Sequence, residues 1–248
     1  MEDALNRLRS ERRADRHAAI GRLTQLCTAD SDRYAEVIPH LAGLVRNLCP
    51  RCTAASTTAR AQSFGPCRIS KLPAEVRAAL SALPKRPCLP GIRALVDLSD
   101  LCLSTASLRN AALPSANFSR ARLDNADLSN ACLHQAQLRE ASAVRASFAE
   151  TCLVGADLMG ADLTCASLWR ADLSRAELLG TRLDGADLRD AQGLRQSQLD
   201  WAFGNVLTQL PQGLEHPSHW LPSHPALLQP SQPLAAQPEP RSEGTKTS

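Results

Sequence analysis

From Leu98 to Leu188 a large apolar residue stands at every fifth position, and the residues between are mostly small or polar. The stretch from Ala106 reads A-S-L-R-N, A-A-L-P-S, A-N-F-S-R, A-R-L-D-N, and so on without insertion. Ala143 alone breaks the apolar series, and two residues before each central position stands, almost always, Ala. A period of five fits neither regular element. On an α-helix, multiples of five wander around the axis instead of holding one stripe. On a strand, residues five apart face opposite sides. A chain that buries residues i, i+5 and i+10 must turn a corner in each repeat, which predicts a solenoid with coils about 4.8 Å apart. Gly155, Gly160, Gly180 and Gly185 fall two places after a central Leu, where a tight turn favours glycine.

The flanks carry a different periodicity. Ile20, Leu23 and Leu26 share a helical face, and Tyr34, Val37, Ile38, Leu41, Leu44, Val45 and Leu48 recur at three-to-four spacing. Asp30-Ser31 stands where a cap belongs, and Pro50 ends the pattern. A third helix is predicted from near Pro73, with Val76, Leu80 and Leu83 inward. The predicted organisation is N-terminal helices over 1–48, a linker over 49–70, a helix and connection over 71–95 and the repeat solenoid over 96–192. A C-terminal cap over 193–221 and a Pro-, Gln- and Ser-rich disordered tail over 222–248 complete it. The helices are expected to cover the open N-terminal edge of the solenoid, which would otherwise invite edge pairing.

The stretch ADLMGADLTCASLWRADL at 156–173 resembles the pentapeptide-repeat family, whose consensus is Ala, Asp or Asn, Leu, a polar residue, then often Gly. The resemblance implies a mainly β fold, a right-handed quadrilateral parallel β-helix with four repeats per coil, here joined to a small α-helical N-terminal cap. Nineteen centres from Leu98 to Leu188 would then make nearly five coils. The segments RHAAIGRLTQLCTADSDRYAEVIPHLAGLVR (16–46) and LPAEVRAALSALPKR (72–86) are similar to the helical N-terminal segment of some bacterial members. QLDWAFGNVLTQLPQGLEHPSHW (198–220) is similar to a C-terminal ending among them.

Charge divides the 248-residue chain unevenly. Residues 1–97 hold sixteen basic and nine acidic side chains, whereas 98–200 hold ten and thirteen. An arginine-rich helical surface accounts for the first imbalance. No apolar run is long enough to cross a bilayer and no basic-then-apolar leader is present, so a cytoplasmic protein is expected. Nine cysteines without paired spacing argue against a disulfide framework.

Cys49-Pro-Arg-Cys52 has metal-ligand spacing and with Cys67 and Cys88 could form a four-thiolate zinc site; two cysteines at a helix end is the plainer reading, and no cofactor is expected. Cys132 and Cys152, twenty apart, should stack on adjacent coils. No histidine pairs with a nucleophile, and no glycine-rich loop precedes a helix, so catalysis is not expected. The outward positions of the repeat carry five large apolar residues, Val144, Val154, Met159, Trp169 and Leu179. Met159 and Leu179, one coil apart, form either a contact site or a surface covered by the flanking segments. Asp157 and Glu177 lie in the adjacent column, and Arg189, one coil from Trp169, is expected to stack on it. Ala143 suggests a loosened coil over 141–151.

These observations favour a non-catalytic module that binds an unidentified protein partner, with neither nucleic acid nor membrane bound directly, and with dimerisation open. The resemblance supplies an alternative. Relatives linked to quinolone resistance and to immunity against topoisomerase poisons are thought to mimic duplex DNA with an acidic rod, which implies a type II topoisomerase, DNA gyrase, as partner.

Overall fold

The computed structural model describes residues 1–29, 34–49, 72–82 and 96–221. The sequence expectations for the Asp30-Ser31 cap, for most of the 49–70 linker, for Leu83, Cys52, Cys67 and Cys88, and for the 222–248 tail lie outside those residues.

The repeat folds as a stack of twenty-residue coils. Parallel bridges join Asp97 to Asn117, Gln137, Asp157 and Glu177 in turn, and three further columns repeat the same spacing through Asp172 and Gln192. A turn falls every five residues, so each coil has four short sides. Every bridge among the described residues is an isolated pair, because a five-residue side that spends two residues on its corner leaves too few for a longer ladder. Hydrogen bonds run coil to coil: Leu98 N–H donates to Asn117 O at 2.7 Å, Asp100 N–H to Ser119 O at 3.0 Å, and Asn117 N–H back to Val96 O at 2.8 Å.

The corners need a left-handed backbone. Fifteen non-glycine residues there have φ between 54° and 62°, and Gly155, Gly160, Gly180 and Gly185 lie between 64° and 72°. Such a conformation costs an L-residue on the order of 1–2 kcal/mol, and the bonded stack around it holds it in place. The centres and the alanines before them are buried along the whole stack. Where Thr151, Thr181 and Thr208 occupy inward positions, each hydroxyl donates to a carbonyl, of Leu128, Leu158 and Leu183 respectively, at 2.7–2.8 Å. Ala143 does not loosen its coil. It is buried, its N–H donates to Asp162 O at 2.8 Å, and Ala146 N–H reaches its carbonyl at 3.1 Å. Backbone bonding, which is indifferent to side-chain volume, keeps the register there.

Among the described residues four helices precede the stack: α1 (Glu2–Leu8), α2 (Arg13–Ala29), α3 (Tyr34–Leu48) and α4 (Ala74–Ser81). Pro73 is the cap of α4, not its first residue. The helices share one core with the rod through Ile20, Leu23, Val37, Ile38, Leu41, Val45, Val76 and Leu80. Buried Glu75 ties α4 to α2, accepting from Arg16 and Arg13, each at 3.1 Å.

The end of α3 closes the first coil. Inside the stack, the carbonyls equivalent to those of Asp97, Ser99 and Cys102 accept from the preceding coil, which the first coil lacks. Arg46 Nη1 supplies donors to Asp97 O and Ser99 O at 3.3 and 3.4 Å, and the Cys49 thiol donates to Cys102 O at 3.0 Å. Cys102 and Cys132, outward in register yet buried, are each disulfide-bonded; they lie on opposite sides of the rod, so the bonds are not to one another, and Cys152 and Cys165 are free. The expectation of no disulfide framework is therefore corrected. Cys132 and Cys152 do bridge one above the other, but Cys152 is not the sulfur bonded to Cys132.

At the far end the stack runs past 192. Phe203 bridges Arg182 and Gln209 bridges Asp187, spacings of 21 and 22 residues instead of 20. Side chains again replace the missing coil. Gln198 Nε2, on α5 (Gln196–Leu199), donates to Ala176 O at 2.8 Å, and the Trp220 indole N–H to Ala202 O at 2.9 Å. His219 Nε2 also lies 2.9 Å from Ala202 O, and His216 Nε2 2.7 Å from Thr208 O. The Trp220 ring lies so close to Gly204 that a Cβ there would meet it at 2.6 Å.

Candidate docking surfaces of the rod

With both ends bonded, the rod offers its sides. The twenty-residue register distributes the seven candidate contact residues over all four of them. Asp157, Met159, Glu177 and Leu179 share one side; Val144 and Val154 lie on opposite sides, and Trp169 on the remaining one. Sequence reasoning grouped the first four correctly, and the structure does not gather the other three with them.

Asp157 has a local task. Its carboxylate accepts the Met159 N–H at 2.9 Å, as Asp127, Asp162, Asp172 and Asp187 accept from the residue two places on. The outward aspartates are thus corner stabilisers. Glu177, one methylene longer, is exposed, and beside it Leu179 is 55% exposed while Met159 is half-buried. Val144 and Val154 are half-buried as well. Trp169 is covered by Arg170, whose guanidinium stands 4.3 Å from the ring. The expected Arg189 contact is replaced, because Arg189 pairs with Asp187 at 2.8 Å and holds that carboxyl below the usual aspartate range.

Charge along the rod is largely compensated. Two corners carry columns of alternating sign: Asp100 and Arg120, 2.8 Å apart, with Glu140 next, and Arg170 at 3.9 Å from both Glu150 and Asp190. Asp97 is held by Arg46 at 2.8 Å. Among the described residues no group of His, Cys, Asp and Glu is placed to hold a metal, and no helix is long and apolar enough to cross a membrane. The zinc reading keeps one described member, Cys49, whose thiol is engaged with Cys102 O.

The profile of the family described as Pentapeptide repeats matches in eight copies, over residues 102–139, 133–164 and 151–190. Residues 102–190 are pentapeptide repeats. The chain resembles a solved pentapeptide repeat protein from the cyanobacterium Cyanothece 51142, at 30% identity over 38% of this chain and 63% of that one, with a TM-score of 0.33. It thus spans less than two thirds of that relative. A pentapeptide repeat protein from the Arabidopsis thaliana thylakoid lumen is similar at 29% identity, covering 39% and 70% of the two chains, TM-score 0.33. QnrB1, a plasmid-mediated fluoroquinolone resistance protein, is similar at 20% identity over 53% and 82%, TM-score 0.25. No curated protein matches the sequence.

Sequence reasoning missed the most exposed apolar surface of the pentapeptide-repeat rod. Trp201 and Leu207 are each 70% exposed, with Phe203 at 56% and Val206 at 43%. Their signal was the cluster W-A-F-G-N-V-L, hidden because the five-residue register ends before it.

Proposed function

We propose that this chain is a non-catalytic pentapeptide-repeat module, a right-handed quadrilateral β-helix that docks a protein partner on its side wall. The observation that carries the reading is the closure of both coil edges by side chains, Arg46 and Cys49 at one end and Gln198, His216, His219 and Trp220 at the other. Edge pairing is blocked, and contact falls to the sides. Among the sequence-derived candidates, the side with exposed Glu177 and Leu179 combines an apolar residue with an unburied charge, as the border between an interface core and its rim does.

The acidic residues Asp157 and Glu177, twenty apart on one side, support a second reading, a DNA-mimicking protector of a type II topoisomerase. A row of phosphates is uninterrupted negative charge, whereas this rod alternates signs at its corners and has Asp97 neutralised. Electrostatics therefore favours the general docking module.

Affinity capture from the native host, comparing the full chain with Leu179→Arg and Glu177→Lys, tests both readings. A reproducible partner lost in the Leu179 variant supports side-wall docking. Capture of topoisomerase subunits lost on Glu177→Lys selects the DNA mimic. A partner set unchanged by both variants removes this side from consideration.

A further inference from the structure

One pair of sulfurs on the rod is unlike the rest. The outward column Ala112, Cys132, Cys152, Asp172 and Gln192 runs up the side opposite Cys102, and each member bridges the next in parallel register. Cys132 is disulfide-bonded, yet Cys152, directly above it, is a free thiol. A disulfide sulfur and a thiol thus occupy successive rungs of one ladder. Cys102, the other disulfide-bonded cysteine among the described residues, has no such neighbour, since the residue bridging it is Arg122.

The backbone fixes how close the two cysteines stand. Cys152 N–H donates to Ala131 O at 3.0 Å and Leu133 N–H to Cys152 O at 2.8 Å, so Cys152 is bonded to both chain neighbours of Cys132. Paired strands lie about 4.7–4.9 Å apart, and disulfides form across Cα separations of about 4.4–6.8 Å. Both residues stand on outward positions of the same column. A bond between their sulfurs therefore calls for side-chain rotation and no backbone movement.

Exposure separates the two roles. Cys132 is 5% exposed, which keeps dissolved thiols from its sulfur, whereas Cys152 is half-buried and open enough to trade its proton with water. His134 and Val154, two places on from each, are half-buried as well, and Pro114 below them is buried. Exchange is controlled by the thiolate and by its access to the disulfide. A thiol built into the ladder reaches a sulfur that a solute does not, and holding it in register makes the attack intramolecular.

We infer that Cys132 and Cys152 form a thiol–disulfide exchange site in which Cys152 is the resolving thiol. The Cys152 thiolate attacks Cys132 Sγ, and the bond from Cys132 to its present partner breaks as the Cys132–Cys152 bond forms. The former partner leaves as a thiolate and takes up a proton from water, replacing the one Cys152 gave up. One disulfide and one thiol stand on each side of the reaction, so no oxidant or reductant is consumed. The crosslink is transferred: Cys132 stays oxidised, and its former partner is released from it. The site lies on a different side of the rod from Glu177 and Leu179 and is independent of the proposed docking surface.

Disulfide mapping of the full chain tests this. The protein is held at about pH 8, where a fraction of ordinary thiols is ionised, without added redox reagent. Samples are acid-quenched, alkylated with N-ethylmaleimide, digested without reduction and mapped by tandem mass spectrometry. A peptide linking Cys132 to Cys152 is expected within minutes to hours, with alkylation lost from Cys152 and gained equally by one other cysteine. The total of free thiols should stay constant and the Cys102 link unchanged. Cys152→Ser should freeze the Cys132 link over the same period, with circular dichroism unchanged. Absence of the Cys132–Cys152 peptide overturns the inference, as does a chain in which Cys132 starts as a free thiol. Exchange at Cys102 as fast as at Cys132, or exchange at Cys132 undiminished in the Cys152 variant, does the same, because the register would then not govern the reaction.

Discussion

At the scale of single residues, the corners set the terms. Cys165 adopts φ 56°, is exposed and free, and stands directly below Gly185, which holds the same position in the next coil without strain. Cys165→Gly should raise stability by about 0.5–1 kcal/mol, the left-handed penalty relieved less the chain entropy glycine adds. Chemical denaturation under identical conditions measures it. Gly204 is the opposite case, since a Cβ there would meet the Trp220 ring at 2.6 Å. Gly204→Ala should cost about 1–3 kcal/mol through overpacking, read as a lower midpoint with the Trp220 environment altered in near-ultraviolet circular dichroism. Neither effect was legible beforehand. The sequence marked glycines as natural corner residues, but nothing in Arg120, Glu140, Arg145 or Cys165 announces a positive φ; the coil's closure imposes it.

At the scale of elements, the helical head is pinned by Glu75. Its own backbone N–H, then the Arg16 hydrogen bond and the Arg13 and Arg16 charges, hold its carboxyl below the usual glutamate range against the opposing effect of burial. A lowered folded-state value means stability that is present above the unfolded pKa and lost as the pH falls through the folded one. Acid should therefore loosen α4 from α2 below the ordinary glutamate range while the rod persists. Glu75→Gln should flatten that acid dependence and cost about 3 kcal/mol at neutral pH, because Arg16 is left largely buried without its anion. Thermal unfolding of both proteins from pH 3 to 7 checks the two statements together. The head also shows what a sequence can and cannot disclose. The long apolar pattern of α3 was readable, whereas α1, seven residues with only Ala4 and Leu8 buried, has too short a pattern to separate from a loop. The edge-capping roles of Arg46 and Cys49 were invisible for another reason: they follow from which carbonyls the first coil leaves open, a property of the stack and not of the helix.

For the whole molecule, the period of five made the architecture legible and also bounded what could be seen. The repeat pattern located every central residue from Leu98 to Leu188, yet the surface of the last coil escaped it because two extra residues shift Phe203 and Gln209 out of phase. The same logic gives a test of the solenoid as a whole. Residues 149–168 form one complete circuit, so deleting them joins Phe148 to Trp169 with the side, the corner and the inward positions all preserved. In a stack where each coil contacts its immediate neighbours, stability is close to a sum of local and nearest-neighbour terms. The shortened chain should fold with native-like circular dichroism, a lower melting temperature and a rod about 4.8 Å shorter by small-angle scattering. Removal of seven residues, 149–155, should instead abolish folding, because beyond the cut each central Leu would fall on the narrow alanine position and Arg170 and Arg175 would fall on buried centres. Equal damage from both deletions would mean that the coils are not interchangeable units. Survival of the seven-residue deletion would mean that the register is held by something other than the buried column of leucines.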